Sequence, residues 1–191
     1  MNATPTLPAD PEASPPDSGP TPVKVWDRFV RVFHWSLVSC VLLNQFVLEA
    51  GETAHTWTGY LASALVLARI VWGFIGSRHA RFADFFPTPA RLRAHWQALR
   101  AGEPPRHLGH NPLGALMMLA LMALVLGLGV TGFLQGTDAF WGEEWLQDLH
   151  QALANSLLAA AGLHAAAALV MGQRERVGLV RAMVTGVKEF R

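Results

Sequence analysis

One stretch, residues 146–172 (LQDLHQALANSLLAAAGLHAAAALVMG), constrains the chain more than any other. As a helix it is apolar and about 40 Å long, enough to cross a bilayer. It carries His150 and His164, fourteen residues apart. That spacing separates them by about 21 Å along the axis and by only about 40° around it. Both rings therefore leave one face, one near a membrane surface and the other deeper. Between them on that face lie Ala154, Leu157 and Ala161, mostly small, so a flat group can lie against the helix. Ionisable groups at such depth are costly and tend to be functional. What matters next is whether other helices offer partners at the same two depths.

The rest of the chain supplies three more apolar segments, which spacing and caps place near residues 33–48, 55–75 and 112–134. Of its 191 residues, 51% are hydrophobic and 15% charged, a balance that suits a small membrane protein and not an ordinary soluble domain. The single Cys40 excludes an intramolecular disulfide, and no Cys-x-x-Cys-His run offers covalent haem attachment. There is no Walker loop, no zinc spacing and no nucleic-acid motif, so nucleic acid is not an expected partner. Residues 1–22, rich in Pro, Ala, Ser, Thr and Asp, read as a disordered tail and lack the pattern of a signal peptide. The expected fold is all-α: an integral membrane four-helix bundle over 23–191, behind that disordered N-terminal tail.

Lysine and arginine fix an expected orientation. Three precede the first span, six lie between the second and third, and five follow the fourth, while the other two loops have none. Four crossings with both termini in the cytoplasm satisfy this distribution. Trp57, Trp141 and Trp145 would then line the outer interface, and Trp26, Trp35, Trp72 and Trp96 the inner one. Residues 87–102 read as an amphipathic surface helix with Leu92, Trp96 and Leu99 on one side. Asn111-Pro112 reads as a helix start, and Gly127, Gly129 and Gly132 as points of close helix approach. A short interfacial helix through Val180, Met183, Val184 and Val187 is expected near the end.

With that orientation the histidines sort into two layers, His34 with His164 toward the inside and His55 with His150 toward the outside. A single intramembrane histidine has a bland use, bonding a backbone carbonyl across a helix pair. Four at two matched depths, each layer joining two helices, suit bis-histidine ligation of two haem irons. A doubly ligated iron has no open position, which favours electron transfer, and two stacked haems make a path across the membrane. Gly59, one turn from His55, leaves room for a porphyrin edge. Arg69, alone in its span at about the depth of the inner pair, is read as a partner for a haem propionate. His79, His95, His107 and His110 are read as surface or capping residues.

These residues resemble the bacterial cytochrome b561 family and the b-type cytochrome subunits of membrane-bound nickel–iron hydrogenases. The matching stretches are VWDRFVRVFHW, HTWTGYLASALVLARIVWGFIGSRHARFADF, LGHNPLGALMML, LHQALANSLLAAAGLHAAAALV and LVRAMVTGVKEF. The resemblance implies two b-type haems on His34, His55, His150 and His164. It also implies electron exchange between the membrane quinone pool and a redox partner, cytochrome c-like or hydrogenase-like, in the bacterial inner membrane. The expected protein is thus an electron carrier or a quinone-linked subunit of an oxidoreductase complex. His110, Glu52 and Asp148 are conceivable members of a proton path for quinone chemistry. Two other readings stand beside it: a membrane anchor whose haems are structural, and a histidine-based ion or metal transporter.

Overall fold

The structure, a computed structural model, describes residues 23–101, 111–174 and 177–188. The Pro-rich tail, His107 and His110 lie outside the described residues. Four helices are long and apolar enough to cross a membrane: α1 (Arg28–Phe46), α2 (Thr53–Ile75), α5 (Pro112–Gln135) and α6 (Glu144–Arg174). Between α2 and α5 lie a 3-10 turn (Arg78–Ala80), the one-turn α3 (Phe82–Phe85) and α4 (Pro89–Arg100). After α6 come α7 (Leu179–Thr185) and β2 (Val187–Lys188), which pairs antiparallel with β1 (Val23–Lys24).

Local chemistry sets these boundaries. α1 begins at Arg28, earlier than the apolar run suggests, because Asp27 caps it and accepts from Val30 N at 2.8 Å. Asn111 does the same for α5, accepting from Gly114 N at 2.7 Å, with Pro112 in the first turn. The glycines of α5 admit neighbours as expected. A β-carbon at Gly127 would stand 3.4 Å from Leu153, one at Gly132 3.4 Å from the His150 ring, and one at Gly129 would overlap Ser63. α2 therefore packs on both α1 and α5, and α6 on α5. Phe33, Cys40, Ala62, Val66, Met122, Val125 and Leu157 form the bundle core.

A second cluster, Val25, Trp26, Val30, Ala80 and Ala182, closes one end of the bundle. There the chain ends of the described region meet. Gly186 O accepts from Val25 N and Trp26 N at 2.9 and 3.1 Å, and Trp35 Nε1 donates to Met183 O. Gly186 needs to be glycine on two counts: its φ is +86°, and a β-carbon would stand 2.7 Å from Trp26 O. The entrance to α1 and the exit from α6 thus lie on the same side of the bundle.

Trp26 is buried in this cap and Trp72 is half-buried beside it, its Nε1 donating to Asp27. Two expectations change. His95 is buried, not at the surface, because Leu92, His95 and Leu99 form the i, i+3, i+7 stripe of α4 that turns inward while Trp96 stays exposed. Val187 belongs to β2, so the last short helix stops at Thr185.

Asp27 holds the cap together. Besides Val30 N, it accepts from Trp72 Nε1 at 2.9 Å and from Ser77 Oγ. Burial pushes its carboxyl upward, but the bonds from Ser77, Val30 and Trp72 and the field of Arg69 outweigh it, and the group sits below its ordinary value. A depressed folded value means the stabilisation is present above the unfolded carboxylate value and fades as pH falls through the lower folded one. Thermal unfolding in detergent should therefore show wild-type protein losing stability below about pH 4, with Asp27→Asn lacking that acid-dependent component. Asp27→Ala should cost about 1 kcal/mol at neutral pH through the lost cap alone.

Candidate functional site

The four histidines fall at two levels of this bundle. His34 stands six residues into α1, about 9 Å from the capped end. His164 stands ten residues before the end of α6, the longest described helix at 31 residues. At the opposite end His55 is two residues into α2 and His150 six residues into α6. His34 lies within electrostatic reach of His164, and His150 within reach of His55. The structure thus brings together the partners that the sequence places in each layer. All four rings are half-buried.

α6 leaves one flank for this meeting. It packs extensively on α5 and then on α7, but makes no comparable approach to α1 or α2. His164 and His150 lie within electrostatic reach of His34 and His55 of the α1–α2 hairpin. The polar atoms there are poorly served by protein. His34 Nδ1 and His55 Nδ1 are buried without a hydrogen bond, as is Asn44 Oδ1, whose Nδ2 donates to His55 O at 3.3 Å. His150 differs: its Nδ1 lies 2.7 Å from Thr131 Oγ1 on α5.

Buried imidazole nitrogens without protein partners suit a ligand that supplies the missing bond. Among the described residues the histidines meet in twos, and no group of three His, Cys, Asp or Glu gathers to hold a bare metal ion. Two facing imidazoles are the donor set for an iron whose other four positions a porphyrin fills. The residues present fit haem.

Arg69 and Gly59 have other neighbours. Arg69 is 1% exposed and turns toward the cap. Its Nη2 donates to Ala80 O at 3.0 Å, its guanidinium lies 5.5 Å from the Phe82 ring centre, and it lies within electrostatic reach of Asp27. Nη1 alone is buried without a bond. Beside Gly59 stands Asn44, whose Nδ2 would be in ordinary contact, 3.5 Å, with an added β-carbon. Sequence reading missed Thr131, although a signal existed. Thr131 lies four residues before the end of α5 and His150 six after the start of α6, positions that a helical hairpin sets opposite each other.

Fold and site define a class: a helical membrane protein whose apolar bundle presents histidine pairs at two depths. The chain belongs to the prokaryotic cytochrome b561 family, whose model matches residues 25–186. It is similar to a probable Ni/Fe-hydrogenase B-type cytochrome subunit of Azotobacter vinelandii, 26% identical over 68% of this chain and 65% of that one. A subunit of the same description from Rhodobacter capsulatus is 25% identical over 90% of this chain and 83% of that one. One from Escherichia coli K12, a probable Ni/Fe-hydrogenase 1 B-type cytochrome subunit, is 25% identical over 57% and 58%. The chain thus spans 65% of the length of the Azotobacter relative. No solved structure matches it.

The cap contacts of Arg69 give a prediction. Arg69→Leu leaves Ala80 O without its side-chain donor and Asp27 without the field of that cation. Thermal unfolding in detergent should show a loss of about 1–3 kcal/mol. Arg69→Lys, which keeps the charge but not the planar fork, should recover only part of it.

Proposed function

We propose that the chain conducts electrons across the bilayer through two b-type haems, one held by His34 and His164 and the other by His55 and His150. What supports this reading is that His34 and His164, and separately His55 and His150, lie within electrostatic reach of each other, one of each pair on α6 and the other on the α1–α2 hairpin. Neutral imidazole is a good iron ligand, and two of them leave no position open for oxygen. Haem b, when bound, supplies a one-electron iron couple. The chain's own residues do the holding: α6 offers Ala154 and Ala161 as low ground between its histidines, and Phe33, Val66, Met122 and Leu157 keep the interior dry. Nη1 of Arg69, buried without a hydrogen bond, is a donor that residue has left to offer a propionate.

We take the exchange partners to be the membrane quinone pool and a redox protein docked at the membrane surface. The names of the relatives, hydrogenase B-type cytochrome subunits, favour a hydrogenase-like protein over a soluble cytochrome. The distribution of basic residues favours a bacterial inner membrane with both termini in the cytoplasm. The pairing of β1 with β2 supports a common side for the two ends of the described chain.

Two measurements test this reading. Haem content and reduced absorbance should give two haems b per chain. His34→Ala and His164→Ala should each lose the same one, and His55→Ala and His150→Ala the other. Protein without reducible b-type absorbance would end the proposal. For orientation, alkaline phosphatase fused within the loop at residues 136–143 should be active, and the same enzyme fused after Arg191 inactive. The reverse pattern would turn the bundle over.

A further inference from the structure

Among the described residues Thr131 is the one side chain hydrogen-bonded to an imidazole ring of the site, and the bonds around its hydroxyl have a direction. Its Oγ1 lies 2.9 Å from Gly127 O and 3.2 Å from Leu128 O, both carbonyls of its own helix. It lies 2.7 Å from Nδ1 of His150 on the neighbouring helix. A hydroxyl has one proton to give and lone pairs to receive with. The carbonyls can only accept, and a threonine hydroxyl within a helix ordinarily gives its one proton to a carbonyl one turn back. The remaining lone pair then faces His150 and accepts from Nδ1–H. A neutral imidazole has one N–H, so Nε2 is left bare. Thr131 is 6% exposed, and a β-carbon added at Gly132 beside it would stand 3.4 Å from the ring's Cε1, so the ring lies against two adjacent positions of α5. His34 and His55 have no such bond at Nδ1.

We propose that Thr131 is a positioning residue: it fixes the tautomer of His150 with Nε2 toward the iron and, by accepting from Nδ1–H, lowers the potential of the haem that His150 holds. This rests on reading His150 as a haem ligand. An acceptor on the far nitrogen of an axial histidine makes the imidazole a stronger donor and favours the oxidised iron. The asymmetry falls on one haem only. The two centres therefore differ in potential for a reason built into α5 and not into either histidine-bearing hairpin strand of the site.

The test is an optical redox titration of the whole purified protein, comparing wild type with Thr131→Val and Thr131→Ser. Valine keeps the shape and removes the hydroxyl; serine keeps the hydroxyl. Thr131→Val should retain two haems and move one midpoint potential upward, leaving the other in place, while Thr131→Ser stays at wild type. Loss of one haem in Thr131→Val, the same one that His150→Ala loses, with retention in Thr131→Ser, supports the same role. Two unchanged potentials in Thr131→Val would overturn it and reduce the hydroxyl to a bond within α5. So would a shift confined to the haem that His150→Ala leaves behind. If His150→Ala keeps both haems, the ligand assignment itself fails, whatever Thr131 does.

Discussion

Hydrocarbon gives an imidazole nothing to bond, and leaving a polar group so exposed costs about 2–7 kcal/mol. Four such rings half-buried in one small bundle are affordable only if something other than lipid meets them. The helix packing follows from that demand. α6 spends its close contacts on α5, where three glycines let neighbours in, and keeps its other flank for the hairpin that carries His34 and His55. A conventional core would have closed that flank with leucine. Here the interface core is confined to Leu157, midway between the two histidine levels, and to residues of α1, α2 and α5.

The cap at one end solves a different problem. Helices of a membrane bundle gain little from burying apolar side chains against each other, since lipid is as apolar as they are. Their heights need polar fixings. Asp27 provides one by bonding α1, α2 and the following loop at once, through Val30 N, Trp72 Nε1 and Ser77 Oγ. Arg69 provides another by reaching Ala80 O from inside α2. β2 and α7 tie the exit of α6 to the entrance of α1. The height of His34, two turns above Asp27, is thereby set by bonds outside the apolar zone.

Much of this was legible in the sequence. The four spans were, because length and hydropathy in a membrane leave helices almost no alternative. The placing of His34 near one end of its helix and of His55 and His150 near the starts of theirs was also legible, because helix rise and alternating direction convert residue number into depth. The cap was not. Asp27 looks like one more charge near a basic flank, and only folding brings Trp72 and Ser77 to it across 45 and 50 residues. Arg69 was read by depth, whereas its long side chain turns to the cap end, so depth of the α-carbon and depth of the charge differ. His95 was misread because a polar residue on an amphipathic helix is assigned outward by default. Thr131 was passed over because a threonine bonded to its own helix is common, and nothing local tells that its lone pair serves another chain segment.

The spacing within α6 has its own geometric logic. Fourteen residues are two heptads, over which a straight helix drifts by about 40° from perfect register. In isolation that drift would aim His164 away from the direction of His150. Helices in four-helix bundles cross at about 18–20° with a left-handed twist, and such a twist takes up drift of this size. One helix can therefore present both rings to the same hairpin about 21 Å apart. A thirteen-residue or sixteen-residue interval would swing the second ring a further quarter-turn or more toward α5 or lipid. The bundle's twist and the interval between His150 and His164 are thus two halves of one constraint, and the length of α6 follows from needing both levels on a single helix.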